Sequence, residues 1–468
     1  MIDMNTSASV VEQLGNWAST MTWNDLSPAV RLALKGRVLD AVGCAVGALS
    51  ARPITSIGQL ADELGGEPLA TCIGGSKTAP DRAAFVNGSA IRYLDFNDSY
   101  LAKGETCHPS DNIAPVLAAA EYARTSGREF LVALAIAYQV QCRLSDVAPV
   151  RRRGFDHTVQ GAYGAAAGAA RAMGLPALQI ANAVAISGTS YNSLRVTRTG
   201  ELSNWKGLAY PNMAMGAVHA ALLAKYGISG PREVFEGNKG FMDAIAGKFD
   251  IDWAKEDLEK VTQTITKRYN AEIHSQSAIE GLLELRDNVG LKAEDIEWIR
   301  LATFDVAFDI IGGGEEGDKR SVHTKEEADH SLPYLLAVAC LDGQVMPEQY
   351  LSERIVREDV QKLLRKVNVY PTKTYTDQFP QFMSCKIDVE TRDGQRFQLE
   401  KRDYQGFRTR PATWRLLLNK YMSLTNHVDD ALRTKIADVI FHLDEVQVTE
   451  LTDLLGQIRI SDGKYLRS

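Results

Sequence analysis

The 468-residue chain is 45% hydrophobic and 24% charged, which excludes a disordered or fibrous protein and leaves room for about two or three packed cores. A formal net charge of −7 excludes the broad basic face that a nucleic-acid binder needs, so no nucleic-acid partner is expected. Six cysteines, Cys44, Cys72, Cys107, Cys142, Cys340 and Cys385, form no close pair and no CxxC. That spacing argues against zinc or iron–sulfur and for reduced thiols in a cytoplasmic protein.

Residues 1–20 have no basic start leading into an apolar core, and no run reaches the roughly 18 apolar residues of a membrane span, so no membrane association is expected. Ser27-Pro28 reads as an N-cap followed by proline at the first helical position, and Val30, Leu34, Val38, Ala41 and Ala45 then recur at helical spacing. Gly43, Ala45, Gly47 and Ala48 strip that helix of bulk and let another approach closely. Alanine-rich helical patterns follow at 81–94, 113–123, 129–146, 161–173, 177–187 and 213–225, with Gly174-Leu175-Pro176 as a stop. The first 250 residues thus read as all-helical.

From about residue 271 the texture changes. Residues 296–304 read as a strand, and 384–401 as a hairpin in which Cys385, Ile387 and Val389 face one way and Lys386, Asp388 and Glu390 the other, around an Asp393-Gly394 turn. Helical patterns at 276–288, 330–341 and 360–366 interleave with these strands, and helix returns after Arg410-Pro411. The expected architecture is mainly α. A large helical domain takes residues 1–270 and, by a C-terminal return, 409–468, with a smaller α+β lid domain (271–408) inserted between them.

Residues 91–112, IRYLDFNDSYLAKGETCHPSDN, concentrate Asp95, Asn97, Asp98, Ser99, Thr106 and His108 among Tyr93, Phe96 and Tyr100. Carboxylates and an imidazole in an apolar frame have shifted pKa values, as acid–base catalysts need. His157 in GFDHTV and His274 in AEIHSQS sit in similar polar joints, and Lys206 in SNWKG has Arg195 and Arg198 nearby, a combination suited to binding carboxylates. Taken singly, each histidine reads more readily as a buried structural residue, Asp95 as part of a capped helix and solvated loop, and Lys206 as a surface residue. Their separations give no metal motif, the glycine-rich pieces IGGSKTAP and IIGGGEEGDKR lack both GxGxxG and GxxxxGK[ST], and GTSYNS is not GxSxG. No metal and no cofactor are expected.

LDFNDS followed by HPSDN, then GFDHT, SNWKG, AEIHSQSA and ADHSLPY, resembles the MmgE/PrpD family of 2-methylcitrate dehydratases and cis-aconitate decarboxylases. The resemblance runs over nearly the whole chain. It implies a helical domain with an inserted α+β lid, a homodimer, no required cofactor, and a small di- or tricarboxylate as substrate. It also implies that Asp95, His108, His157, Lys206 and His274 do the chemistry, with Ser99 and Tyr334 binding substrate; Arg195, beside Lys206, is expected to bind substrate on the strength of the clamp chemistry above. Ser99 stands where a threonine is common. HPSDN and the aspartate before His157 resemble the dehydratase branch, whereas residues 194–206 depart from it.

The chemistry implied is removal of a proton α to a carboxylate and loss of hydroxide, in which a cation stabilises the enediolate and paired acid and base groups move the protons. Decarboxylation or epimerisation of a related acid would draw on the same groups. The rival of another class is a helical scaffold without catalysis.

Overall fold

The computed structural model describes residues 8–200 and 202–459; most of the N-terminal reading's first residues (1–7), and 460–468 of the expected C-terminal return, lie outside them. The chain is mainly helical. Ser27 caps helix Pro28–Ala48 by accepting from the Val30 amide, with Pro28 at its first position. Gly43 and Gly47 of that helix lie against Tyr421 and Leu424, where an added Cβ would come within 3.3 Å of either side chain. Tyr421 and Leu424 belong to helix Trp414–Leu424. Small residues in the first long helix therefore form the seat on which the C-terminal segment returns.

One hydrophobic core gathers Val11, Leu34, Val38, Phe130, Ile136, Val184 and Val218 with Leu417, Ile436, Leu451 and Ile458. Helix Gly127–Val147, long and apolar enough to cross a membrane, is buried in this core. Helix Thr158–Ala172 packs on it closely: a Cβ on Gly164 would stand 2.8 Å from the Ala137 carbonyl. Burial of such faces, at about 25 cal/mol per Å² of apolar surface, is the main force assembling these weakly amphipathic helices.

The first 250 residues are not purely helical. Two short antiparallel ribbons interrupt them: β1 (Ala70–Thr71) with β2 (Lys77–Thr78), and β3 (Tyr100–Ala102) with β4 (Glu105–Cys107). The second holds the polar stretch in place, because hydrogen bonding between strands stiffens what period alone reads as loop.

A second core lies between helices Gln276–Val289 and Leu332–Asp342 and a four-stranded sheet. The sheet comprises β5 (Ile296–Thr303), β6 (Val367–Pro371), β7 (Cys385–Thr391) and β8 (Arg396–Lys401) in the order β6-β5-β7-β8. Strands β5 and β6 run parallel, and the other neighbours antiparallel. As the alternation predicts, Cys385, Ile387 and Val389 are buried while Lys386, Asp388 and Glu390 are partly exposed.

Candidate active site

Element ends converge on a tight cavity lined by Asp95, His108, His157, Arg195 and His274 together with Arg92, Lys267 and His330. Asp95 lies just beyond helix Pro80–Tyr93, His108 follows β4, His157 caps helix Thr158–Ala172, and His274 sits on the turn Ile273–Ser275 that leads into helix Gln276–Val289. His157 and His274 thus stand at helix N-termini, whose partial positive charge favours an anionic occupant, whereas Asp95 stands past a helix C-terminus.

Asp95 ends its helix with φ of 52°, in the left-handed region, at a cost of about 1 kcal/mol or more for a residue other than glycine. Its side chain holds the backbone there. Oδ1 accepts from Arg92 Nη1 and Lys267 Nζ, both at 2.6 Å, and Oδ2 lies 3.7 Å from Lys206 Nζ. Burial alone would raise the Asp95 pKa, but Arg92, Lys267 and Lys206 hold it well below the usual carboxylate range. Asp95 is therefore an ionised anchor for three cations, and a poor proton acceptor.

Each of two imidazoles is backed by its own carboxylate. His157 Nδ1 lies 3.2 Å from Asp156 Oδ1, and His274 Nδ1 lies 2.7 Å from Glu272 Oε1. In both rings Nε2 is buried without a hydrogen-bond partner among the described residues. A carboxylate on Nδ1 holds a proton on that nitrogen and leaves Nε2 to exchange a proton with an occupant. Burial, with the charges of Arg198 and Arg92, lowers the His157 pKa despite Asp156, so the ring is neutral near pH 7. Asp156 is pinned in turn by Arg198 Nε at 2.8 Å. Burial pushes Glu272 up, yet His274 and neighbouring cations bring it down to about 2, so it stays ionised.

His108 donates from Nδ1 to the Asp98 carbonyl at 2.8 Å and has Ser99 Oγ at 3.1 Å. Burial and the Arg92 charge hold its pKa well below the usual imidazole range. Its ring meets that of His157 edge-on at 5.4 Å. Ser99 thus braces His108 from behind.

Four assignments change: Asp95 is an ionised anchor and not an acid–base group, Ser99 braces His108 and does not line the cavity, and Lys206 and Tyr334 take other places. Lys206 lies in the first turn of helix Trp205–Lys225, not in a loop, and its ammonium is spent on Asp329 Oδ1 and His330 Nδ1, each at 2.8 Å. It opens on a smaller cleft with Arg92 and Asp95, behind the cavity, so Lys206 positions neighbouring groups. Tyr334 is not at the cavity: its hydroxyl donates to the Gln349 carbonyl and its ring packs near Tyr350 in the second core. Position 334 lies in the buried part of helix Leu332–Asp342, and its place at the site is taken by His330, just before that helix.

Residue chemistry alone did not single out Arg92, Lys267, Asp156, Glu272 or Asp329. A signal was present: an acidic residue stands one or two positions before each of three cavity histidines, in Asp156-His157, Glu272-Ile273-His274 and Asp329-His330. Asp95, Asp329 and His330 offer ligand atoms within 4.8 Å of one another, as a cation site would. Lys206, Lys267, Arg92 and Lys325 already hold these carboxylates, however, and their positive charges oppose a metal ion there.

Comparison with known proteins gives two family matches: the MmgE/PrpD N-terminal domain over residues 12–254 and the MmgE/PrpD C-terminal domain over 269–443. A 2-methylcitrate dehydratase of Escherichia coli K12 is 30% identical over 68% of this chain and 69% of its own length. A cis-aconitate decarboxylase of Mus musculus is 25% identical over 88% of this chain and 86% of its own. A 2-methylcitrate dehydratase-like protein, oryR, of Aspergillus oryzae is 28% identical over 84% of each.

Proposed function

The chain belongs to the MmgE/PrpD family, and from that premise we propose that it is a lyase that dehydrates 2-methylcitrate, or citrate, without metal or organic cofactor. The observation that carries this reading is the pair of carboxylate-backed imidazoles, His157 with Asp156 and His274 with Glu272, whose Nε2 atoms are unpartnered at a cation-lined cavity. A base, an acid and fixed positive charge are what proton removal beside a carboxylate requires.

In this reading neutral His157 takes the proton α to a substrate carboxylate, and Asp156 stabilises the imidazolium that forms. The C–H electron pair passes into that carboxylate as an enediolate and returns to form the double bond as the C–O bond breaks. His274 enters the step as an imidazolium whose charge Glu272 balances; it gives its Nε2 proton to the departing hydroxide, which leaves as water, and keeps its Nδ1 proton on Glu272. Lys267, Arg92 and Arg198 neutralise the charge that grows on the carboxylate as the enediolate forms. Asp95 and Lys206 hold these cations and His330 in place. His108, beside His157, orients the substrate from the other face of the ring.

The region 271–408 acts in this proposal as a lid over the helical part, excluding water so that each charge acts at full strength. A homodimer is the assembly we expect, as twofold pairing is the commonest closed arrangement.

The test is to offer 2-methylcitrate, citrate and cis-aconitate in turn to enzyme treated with a chelator. Ultraviolet absorbance follows the new conjugated double bond, and released carbon dioxide is measured in parallel. We expect absorbance to rise with 2-methylcitrate and no carbon dioxide to appear. Carbon dioxide from cis-aconitate without dehydration would make the chain a decarboxylase, the activity named for the mouse relative. Inertness toward all three acids would return it to a scaffold.

A further inference from the structure

We propose that Arg151 and Arg195 form a second carboxylate site in this cavity, and that Glu316 is its built-in occupant, displaced when a substrate with a distal carboxylate enters. The inference rests on the lyase reading above and narrows the substrate to acids that carry a carboxylate beyond the reacting carbons.

A single oxygen, Glu316 Oε1, receives Arg151 Nη2 at 3.3 Å and Arg195 Nη2 at 3.1 Å. Two guanidinium groups therefore share one carboxylate, and both bonds are longer than the roughly 2.7–2.9 Å of a well-seated ionic pair. Burial and the neighbouring Arg195 charge lower the Arg151 pKa, although Glu316, Glu105 and Glu272 oppose them. Burial of like charges this close is costly unless an anion completes them.

Placement ties the pair to the reacting centre. Arg195 Nη1 is 3.9 Å from Asp156 Oδ2, and Asp156 backs His157. A carboxylate seated on Arg195 would thus lie one guanidinium away from the base. Arg151, Arg195 and Glu316 line both the inner cavity and a wider outer one, so the Glu316 side chain stands between them.

The occupant is mounted to move. Glu316 belongs to the glycine-rich segment IIGGGEEGDKR, whose composition had no role in nucleotide binding. Gly313 and Gly317 on either side have φ of 106° and 91°, with open space where a Cβ would sit. Only glycine takes such angles freely, while the Glu316 amide donates to the Asp309 carbonyl at 2.9 Å, so the backbone stays in place and the displacement is a turn of the glutamate side chain about its own bonds.

Calorimetric titration with two inert acids tests this: tricarballylate, which has three carboxylates and no hydroxyl to lose, and succinate, which keeps two carboxylates on adjacent carbons and lacks the distal one. Replacing Glu316→Gln removes the competitor while keeping its size. Tricarballylate should then bind about tenfold more tightly and succinate within about twofold of its original affinity, since one charge-assisted pairing is gained by the first acid alone. Glu316→Asp, which keeps the charge on a shorter stem, should fall between. Arg195→Gln should abolish the gain in the Glu316→Gln background. Unchanged or weaker tricarballylate binding in Glu316→Gln, or an equal gain for both acids, would overturn the proposal. These ratios need no turnover. Failed dehydration of 2-methylcitrate would sink the lyase reading alone, while flat ratios in an active enzyme would sink only the second carboxylate site.

Discussion

Lys206 Nζ and Asp329 Oδ1 stand 2.8 Å apart although 123 positions separate them in the chain, and the same ammonium is 3.7 Å from Asp95. Burial lowers the Lys206 pKa and these two carboxylates pull it back, so the charge depends on them. The dependence is not mutual: Asp329 keeps Lys325 at 2.9 Å, and Asp95 keeps Arg92 and Lys267. Lys206→Met should therefore destabilise by about 1–3 kcal/mol, less than the 3–5 kcal/mol typical of stripping a buried charge of its only partner. Turnover should fall about a hundredfold, as His330 loses the ammonium at its Nδ1 and Asp95 loses one of its three neighbouring cations. Urea unfolding and steady-state kinetics on one preparation check both. Unchanged kinetics would remove Lys206 from the machinery.

What the sequence disclosed and what it hid divide along physical lines. Period and small-residue runs located the long helices and the β7–β8 hairpin, because side-chain alternation and close helix approach are local properties. Gly43 and Gly47 even marked where the C-terminal helix would land. The ribbon formed by β3 and β4 stayed hidden because three-residue strands carry too little pattern. At the site, histidines in polar motifs stood out. Lys267, in TKRYN, looks like part of a solvated basic run, yet it is fully buried on Asp95. Only tertiary pairing makes such a burial tolerable, and pairing across 172 positions leaves no local trace. Tyr334 is the converse case: its motif is recognisable, but residues 332–340 of its helix are all buried and its hydroxyl is taken by the Gln349 carbonyl in the second core.

Asp156→Asn should separate orientation from proton transfer. An amide on His157 Nδ1 can favour the wrong tautomer, so kcat should fall by about a hundredfold or more while KM changes little. His157→Ala should lose at least as much, since it removes the base itself. If Asp156→Asn raises KM and spares kcat, Asp156 serves through Arg198 and Arg195 as a binding element, and the dyad is not catalytic.

The pH profile follows from the same groups. The His157 base works when neutral, and its pKa lies below the ordinary 6.5 because of burial, so the acid limb of kcat/KM should fall at a pH below 6.5. Stability should respond lower still. Glu272 has a folded-state pKa of about 2 against 4.5 unfolded, so its contribution is complete above pH 4.5 and is lost as pH falls from there toward 2. Asp111 runs the other way: burial raises it from 3.8 to about 7, so its ionisation withdraws stability as pH rises across that interval. Thermal melts paired with initial rates should show activity dropping before Glu272 protonates. An acid limb well above 6.5 would contradict a neutral, buried His157.

Tyr334→Phe tests the reassignment of that residue to the second core. The hydroxyl donates to the Gln349 carbonyl, and the ring is fully buried beside Tyr350. Removing it leaves one carbonyl without this donor and changes no group at the cavity, so stability should fall by about 1–2 kcal/mol, the cost of losing one buried hydrogen bond. Both kcat and KM should stay within about twofold of the parent at a temperature well below unfolding, because substitutions remote from the reacting groups leave transition-state contacts intact. A large rise in KM with unchanged stability would mean that the tyrosine hydroxyl does reach substrate, after a movement of helix Leu332–Asp342 that would carry His330 with it.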